Sequence, residues 1–129
     1  MPSPRRLDGL RILVAEDSFL IAEQVAELIA GEGGTVVGPV PRVGAGLALI
    51  ARAPPDCAVL DINLNGEPCF AIADALKARD IPFIFVTGYS DRTVVPPGLA
   101  GAPMLTKPLE DETLVTSLAA VVERTVAER

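Results

Sequence analysis

Histidine and tryptophan are missing from this 129-residue chain, tyrosine occurs once and phenylalanine four times. Without histidine there is no Ser-His-Asp triad, no histidine-based zinc site and no phosphohistidine carrier. So few aromatic rings leave no platform on which nucleic-acid bases could stack. No apolar run approaches the ~18–20 residues of a membrane span. The basic start Met1-Pro2-Ser3-Pro4-Arg5-Arg6 precedes an apolar stretch, Ile12 to Ala15, that ends at Glu16-Asp17, far short of a signal-peptide core of ~7–15 residues. Cysteine appears only as Cys57 and Cys69, outside any Cys-x-x-Cys pair and without metal-ligand company; both read as free buried thiols in a reducing cytoplasm.

Basic charge is in the minority. Lys and Arg number 11 against 17 Asp and Glu, for a formal net charge of −6. Such a surface repels phosphate backbones and anionic lipid, so neither nucleic acid nor a membrane is expected as a partner. What the chain does have is apolar residues, 50% of the total, with 22% charged. That is a folding composition, and the length suits one domain that buries a core without a disulfide or metal staple.

The apolar residues come in short continuous runs: Leu10 to Ala15, Thr35 to Val40, Ala58 to Leu60, Phe83 to Val86 and Met104 to Thr106. Continuous runs suit strands buried on both faces of a parallel sheet. The second carries Gly38 and Pro39, which places it at an edge or ends it early, because proline cannot donate to a ladder. Helical periodicity fills the gaps. Ser18 is an N-cap for a helix bearing Ile21, Val25, Leu28 and Ile29, stopped by Gly31-Glu32-Gly33-Gly34. Val43 to Arg52 and Phe70 to Arg79 read as the second and third helices. A last helix begins near Asp111, with Leu114, Leu118, Val121 and Val122 on one face. After the fourth strand, Ser90 to Pro97 has room for little more than a turn, because Pro96-Pro97 interrupts it. Alternation of this kind predicts an α/β fold, a doubly wound five-stranded parallel sheet with right-handed crossovers and a short or degenerate fourth helix. The expected organisation is a single domain over 1–129, with residues 1 to about 8 a flexible leader and no output domain.

Ligands of such sheets gather at the carboxyl ends of the strands. There stand Glu16-Asp17 after the first strand, Asp61 at the end of the third, Thr87 at the end of the fourth and Lys107 after the fifth. Singly, each has a plain reading: a helix-capping acid pair, a turn aspartate, a turn threonine before Gly88, a loop lysine before Pro108. Jointly they converge on one edge. Three carboxylates there call for a cation, and oxygen ligands suit a hard ion such as Mg²⁺. A carboxylate can also act as a nucleophile toward phosphorus, with a metal, an ammonium and a hydroxyl to neutralise the transferring oxygens. The set is complete for moving a phosphoryl group onto Asp61.

Over essentially its whole length the chain resembles the receiver domains of bacterial two-component response regulators. The resemblance rests on Glu16-Asp17, on Asp61 within Leu60-Asp61-Ile62-Asn63-Leu64-Asn65-Gly66, on Thr87 and on Lys107-Pro108. It implies a flavodoxin-like strand order 2-1-3-4-5. It implies Mg²⁺ held by Asp17, Asp61 and the main-chain carbonyl of Asn63, with Glu16 assisting. It also implies phosphorylation of Asp61 by a histidine kinase or phosphotransfer protein, with Lys107 and Thr87 aiding the transfer. The module would signal through protein contacts in the cytoplasm, catalysing only its own phosphorylation and dephosphorylation. The downstream partner and homodimerisation stay open. Pro82 to Tyr89 resembles a narrower group of single-domain receivers with a Phe-x-Thr-Gly fourth strand, which work beside kinases of the HWE and related types. Met104 stands where the family usually has a switch aromatic, and Leu64-Asn65 replaces the usual Met-Pro. The switch candidates are therefore Thr87, Tyr89 and Met104, with Thr87 to Gly98 the segment expected to reorder.

Two other classes fit these residues less well. An aspartyl-nucleophile phosphatase commonly carries a second acid two residues after the first, where this chain has Asn63. A flavin or nucleotide carrier of flavodoxin-like fold wants a Ser/Thr/Gly-rich phosphate loop after the first strand, where this chain has two acids. Gly44-Ala45-Gly46 does not complete a dinucleotide fingerprint.

Overall fold

The computed structural model describes residues 6–88 and 95–128. In chain order the elements are β1 (Arg11–Ala15), α1 (Phe19–Gly31), β2 (Thr35–Val40), α2 (Val43–Arg52), β3 (Cys57–Asp61), β4 (Asn63–Leu64), β5 (Glu67–Pro68), α3 (Phe70–Lys77), β6 (Phe83–Thr87), a 3-10 turn (Pro97–Leu99), β7 (Met104–Thr106) and α4 (Asp111–Ala127). The main sheet runs β2-β1-β3-β6-β7, and every pairing in it is parallel. This is the order 2-1-3-4-5 expected of five strands, with β2 at an edge where its proline is tolerated. Where a fourth helix would lie, the described residues carry only the 3-10 turn.

The continuous apolar runs explain the layers. Successive side chains of a strand point to opposite faces, so a strand buried on both must be apolar throughout. Ile12 and Val14 of β1 join Val25 and Ile29 of α1 and Leu114, Leu118 and Val121 of α4. Leu13 and Ala15 join Ile50 of α2, Ile72 and Leu76 of α3, and Leu99 of the 3-10 turn. Two cores thus hold the sheet, with α1 and α4 on one face and α2 and α3 on the other. Phe85 is fully buried. Its ring lies edge-on to Phe83 and Phe70, with centroids 5.3 and 6.0 Å away.

The amino-terminal expectation needs correcting. A flexible leader running to about residue 8 does not hold for residues 6 and 7. Leu7 is fully buried in the α1–α4 core, and its N–H donates to the Glu32 carbonyl at 3.1 Å. Arg6 pairs with Glu32 at 3.3 Å and with Glu112 at 2.9 Å. The reason is physical: one leucine completes the core between α1 and α4, and one guanidinium meets a carboxylate just past the end of α1 and another in α4.

Both cysteines are free and buried. Burial, aided by the Asp56 charge, pushes the Cys57 thiol up to about 12. Burial, aided by the Asp61 charge, does the same to Cys69, also to about 12. The thiolate is the reactive form. The folded protein is therefore expected to resist iodoacetamide at pH 7.5 and to take up two equivalents once unfolded in denaturant. Rapid alkylation of the native protein, followed by mass spectrometry, would contradict this.

Candidate functional site

The carboxyl ends of β1, β3, β6 and β7 place the chemistry-bearing residues. β1 ends at Ala15, and the chain turns through Glu16 and Asp17 to Ser18, whose side chain caps α1 by accepting from the Ile21 N–H. Gly38 sets the entry to this corner. Its φ of +100° bends β2, and a Cβ there would meet the Val40 nitrogen at 2.9 Å and the Val14 carbonyl at 3.1 Å. The resulting irregularity in the β1–β2 register brings the Val40 carbonyl to the Glu16 N–H at 3.0 Å. Asp61 closes β3, beside Val86 of β6. Thr87 closes β6, beside Thr106 of β7, and the Lys107 N–H donates to the Thr87 carbonyl at 2.9 Å.

Glu16, Asp61 and Thr87 are buried polar residues in an otherwise apolar interior. Asp17 is exposed. One carboxylate oxygen from each of Glu16, Asp17 and Asp61 lies within 4.8 Å of the others. Lys107 Nζ reaches Asp61 Oδ2 at 2.9 Å and Glu16 Oε1 at 3.0 Å. Ser18 N–H donates to Glu16 Oε2 at 3.0 Å, and Asn63 N–H to Asp61 Oδ1 at 3.2 Å. Burial pushes the Glu16 carboxyl up to about 7; Ser18 and Lys107 oppose that, while neighbouring Asp61 adds to it. Burial works against the charge on Lys107, but its contacts with Asp61 and Glu16 outweigh it and its pKa is raised. A lysine held firmly charged among three acids suits an anion that arrives on Asp61.

The donor set fits Mg²⁺. All three side-chain donors are carboxylate oxygens clustered within 4.8 Å, and one of them, on Asp17, stands at the solvent side where waters can complete an octahedron.

Of the switch candidates, Thr87 is buried and its hydroxyl lies 3.3 Å from the Gly88 carbonyl. Met104 is 45% exposed on the edge strand, opposite Phe85, so it is not packed into the site. Tyr89 lies outside the described residues.

One element was missed in the sequence. β4 and β5 form a small antiparallel hairpin between β3 and α3. Its tip is Asn65-Gly66, with φ values of 53° and 86°. Asn-Gly between Leu64 and Glu67 is the strongest short-range hairpin signal, because both tip positions of a tight hairpin turn need positive φ. The strands are only two residues long, which is why no alternation announced them. The Asn65 N–H donates to Asp17 Oδ2 at 2.9 Å, so the tip touches the acidic pair.

Comparison with known proteins agrees with this geometry. The family model described as "Response regulator receiver domain" matches residues 12–119. The transcriptional regulatory protein PdtaR of Mycobacterium tuberculosis is 26% identical over 117 residues, covering 88% of this chain and 57% of that protein. The phyllosphere-induced regulator PhyR of Methylorubrum extorquens is 32% identical over 103 residues, covering 77% of this chain and 38% of that protein. The chain thus spans little more than half the length of the first relative and less of the second. The solution structure of SdrG from Sphingomonas melonis Fr1 superimposes with a TM-score of 0.78 at 38% identity, covering 91% of this chain and 98% of that one. Among the described residues no helix is long and apolar enough to cross a membrane.

Proposed function

The chain belongs to the receiver-domain family of response regulators, and from that premise we propose that it accepts a phosphoryl group on Asp61 and signals through protein contacts. The donor is a phosphorylated histidine on a kinase or phosphotransfer protein, since this chain has no histidine of its own. An Asp61 carboxylate oxygen attacks phosphorus, the P–N bond breaks, and the leaving imidazole takes a proton from solvent.

The observation that carries this reading is Lys107 bridging Asp61 and Glu16 at 2.9 and 3.0 Å. It holds the acceptor in place before transfer and stands ready to pair with a phosphoryl oxygen after it. Thr87, at the end of the neighbouring strand, offers a hydroxyl for another phosphoryl oxygen. Asp17, Asp61 and the Asn63 carbonyl would hold Mg²⁺, with Glu16 assisting. When bound, the ion neutralises charge on the transferring oxygens.

Metal binding without phosphate tests the reading. Titration with Mg²⁺, followed by backbone amide shifts, is expected to saturate in the wild-type protein. Asp17→Asn should weaken binding by at least about tenfold, the loss that even an outer-sphere partner commonly causes. Equal affinity in the two proteins would remove Asp17 from the site.

A further inference from the structure

We propose that Asn65, at the hairpin tip, is a positioning residue for the Asp17 carboxylate, so that β4–β5 sets the metal affinity of the site; this rests on the receiver reading above. Asp17 is the exposed member of the acidic trio. Left alone, its side chain would sample several rotamers, and binding an ion would have to order it. The Asn65 N–H holds one of its oxygens, Oδ2, at 2.9 Å and leaves the other for the ion.

The tip is in turn held from two sides. The Asn65 side-chain amide donates to the Pro41 carbonyl at 3.1 Å, in the connection between β2 and α2. The Gly66 N–H donates to Asn63 Oδ1 at 2.8 Å, and the Asn63 N–H donates to Asp61 Oδ1. Three connections at the carboxyl edge of the sheet are therefore tied through one turn, and two of the three carboxylates are fixed by backbone N–H groups of one hairpin. Asparagine suits the position because it adopts positive φ more readily than other non-glycine residues, and here φ is 53°. It also brings the amide that reaches Pro41.

Two substitutions separate the parts of this role. Asn65→Gly keeps the backbone conformation and loses only the Pro41 bond. Asn65→Val is strained at positive φ and displaces the N–H. Mg²⁺ affinity is expected to stay within about threefold of wild type in Asn65→Gly and to fall about tenfold in Asn65→Val, as for other groups that orient a ligand. On an Asp17→Ala background Asn65→Val should cause much less further loss than the tenfold, because its main effect runs through Asp17. In the metal-free wild-type protein the Asn65 amide should be protected from hydrogen exchange, and Asp17→Ala should remove that protection. Wild-type protein that takes up no Mg²⁺ overturns the receiver reading of the site, and the inference with it. Normal wild-type binding together with wild-type affinity in Asn65→Val, or an additive loss on the Asp17→Ala background, or an unprotected Asn65 amide, overturns the inference alone.

Discussion

Asp61→Asn is expected to take up no label from a phosphorylated histidine kinase that labels the wild-type protein. The carboxamide keeps the shape of the side chain but has no anionic oxygen to attack phosphorus. The variant should remain folded, which makes the result interpretable. Lys107 keeps Glu16 as a partner at 3.0 Å, and removing one of two neighbouring buried carboxylates relieves their repulsion. The Asn63 N–H still finds an oxygen in the place of Asp61 Oδ1, while Lys107 turns wholly to Glu16, because the amide nitrogen in the place of Oδ2 cannot accept from it. Thermal melts of the two proteins should therefore be close while phosphotransfer is lost entirely. Label retained on Asp61→Asn, located by peptide mapping, would place the acceptor elsewhere.

Lys107→Ala should produce the second large effect, this time on stability and dependent on pH and metal. The lysine side chain is 20% exposed and its two partners 5% each. Removing one member of a buried charge pair costs about 3–5 kcal/mol when fully desolvated, and partial exposure of Lys107 brings that to about 2–3. For a domain of this size the melting point falls by roughly 10 °C. The sign with pH follows from Glu16. Its carboxyl is raised from 4.5 to about 7 by burial, so across that window the folded protein binds a proton that the unfolded chain has released. Stability contributed by this group is present below 4.5 and is lost as pH rises through 7. Among the described residues Lys107 is the cation that opposes this rise, so without it the loss deepens. In chelator, Lys107→Ala should melt far below wild type at pH 8 and close to it at pH 5. Millimolar Mg²⁺ should recover much of the difference at pH 8, because an ion bound only by the folded state stabilises it. An equal deficit at both pH values, or no response to Mg²⁺, would show that Lys107 does not neutralise the acidic cluster. The same variant should be impaired in phosphoryl uptake even when Mg²⁺ restores its melting point, since the ammonium that meets the incoming oxygens is gone.

Under the proposed function, Thr87 and Met104 are the described switch candidates, and the structure places them differently. Thr87 is buried at the edge of the site, whereas Met104 lies exposed opposite Phe85.

The sequence by itself determined the five-stranded parallel sheet, its edge strand and the residues at its carboxyl edge. Parallel strands covered on both faces must be written as unbroken apolar runs, and a polar residue that ends such a run, as Asp61 and Thr87 do, can only stand at the sheet edge. Ser18 as a cap and the limits of α2 were legible for a similar reason: both depend on neighbours a few residues away. Tertiary structure decided the rest. Arg6 meets Glu112 across the fold, and no local pattern marks a guanidinium that will find a carboxylate 106 positions away. Leu7 reads as part of a flexible leader, and its burial depends on α1 and α4 enclosing it. Asn65 could be seen as a turn residue, but its hold on Asp17 exists only because β1 and β3 lie side by side. Glu16 carries the same carboxyl as any surface glutamate, and its raised pKa comes from being taken out of water beside Asp61, a consequence of packing that composition and periodicity do not encode.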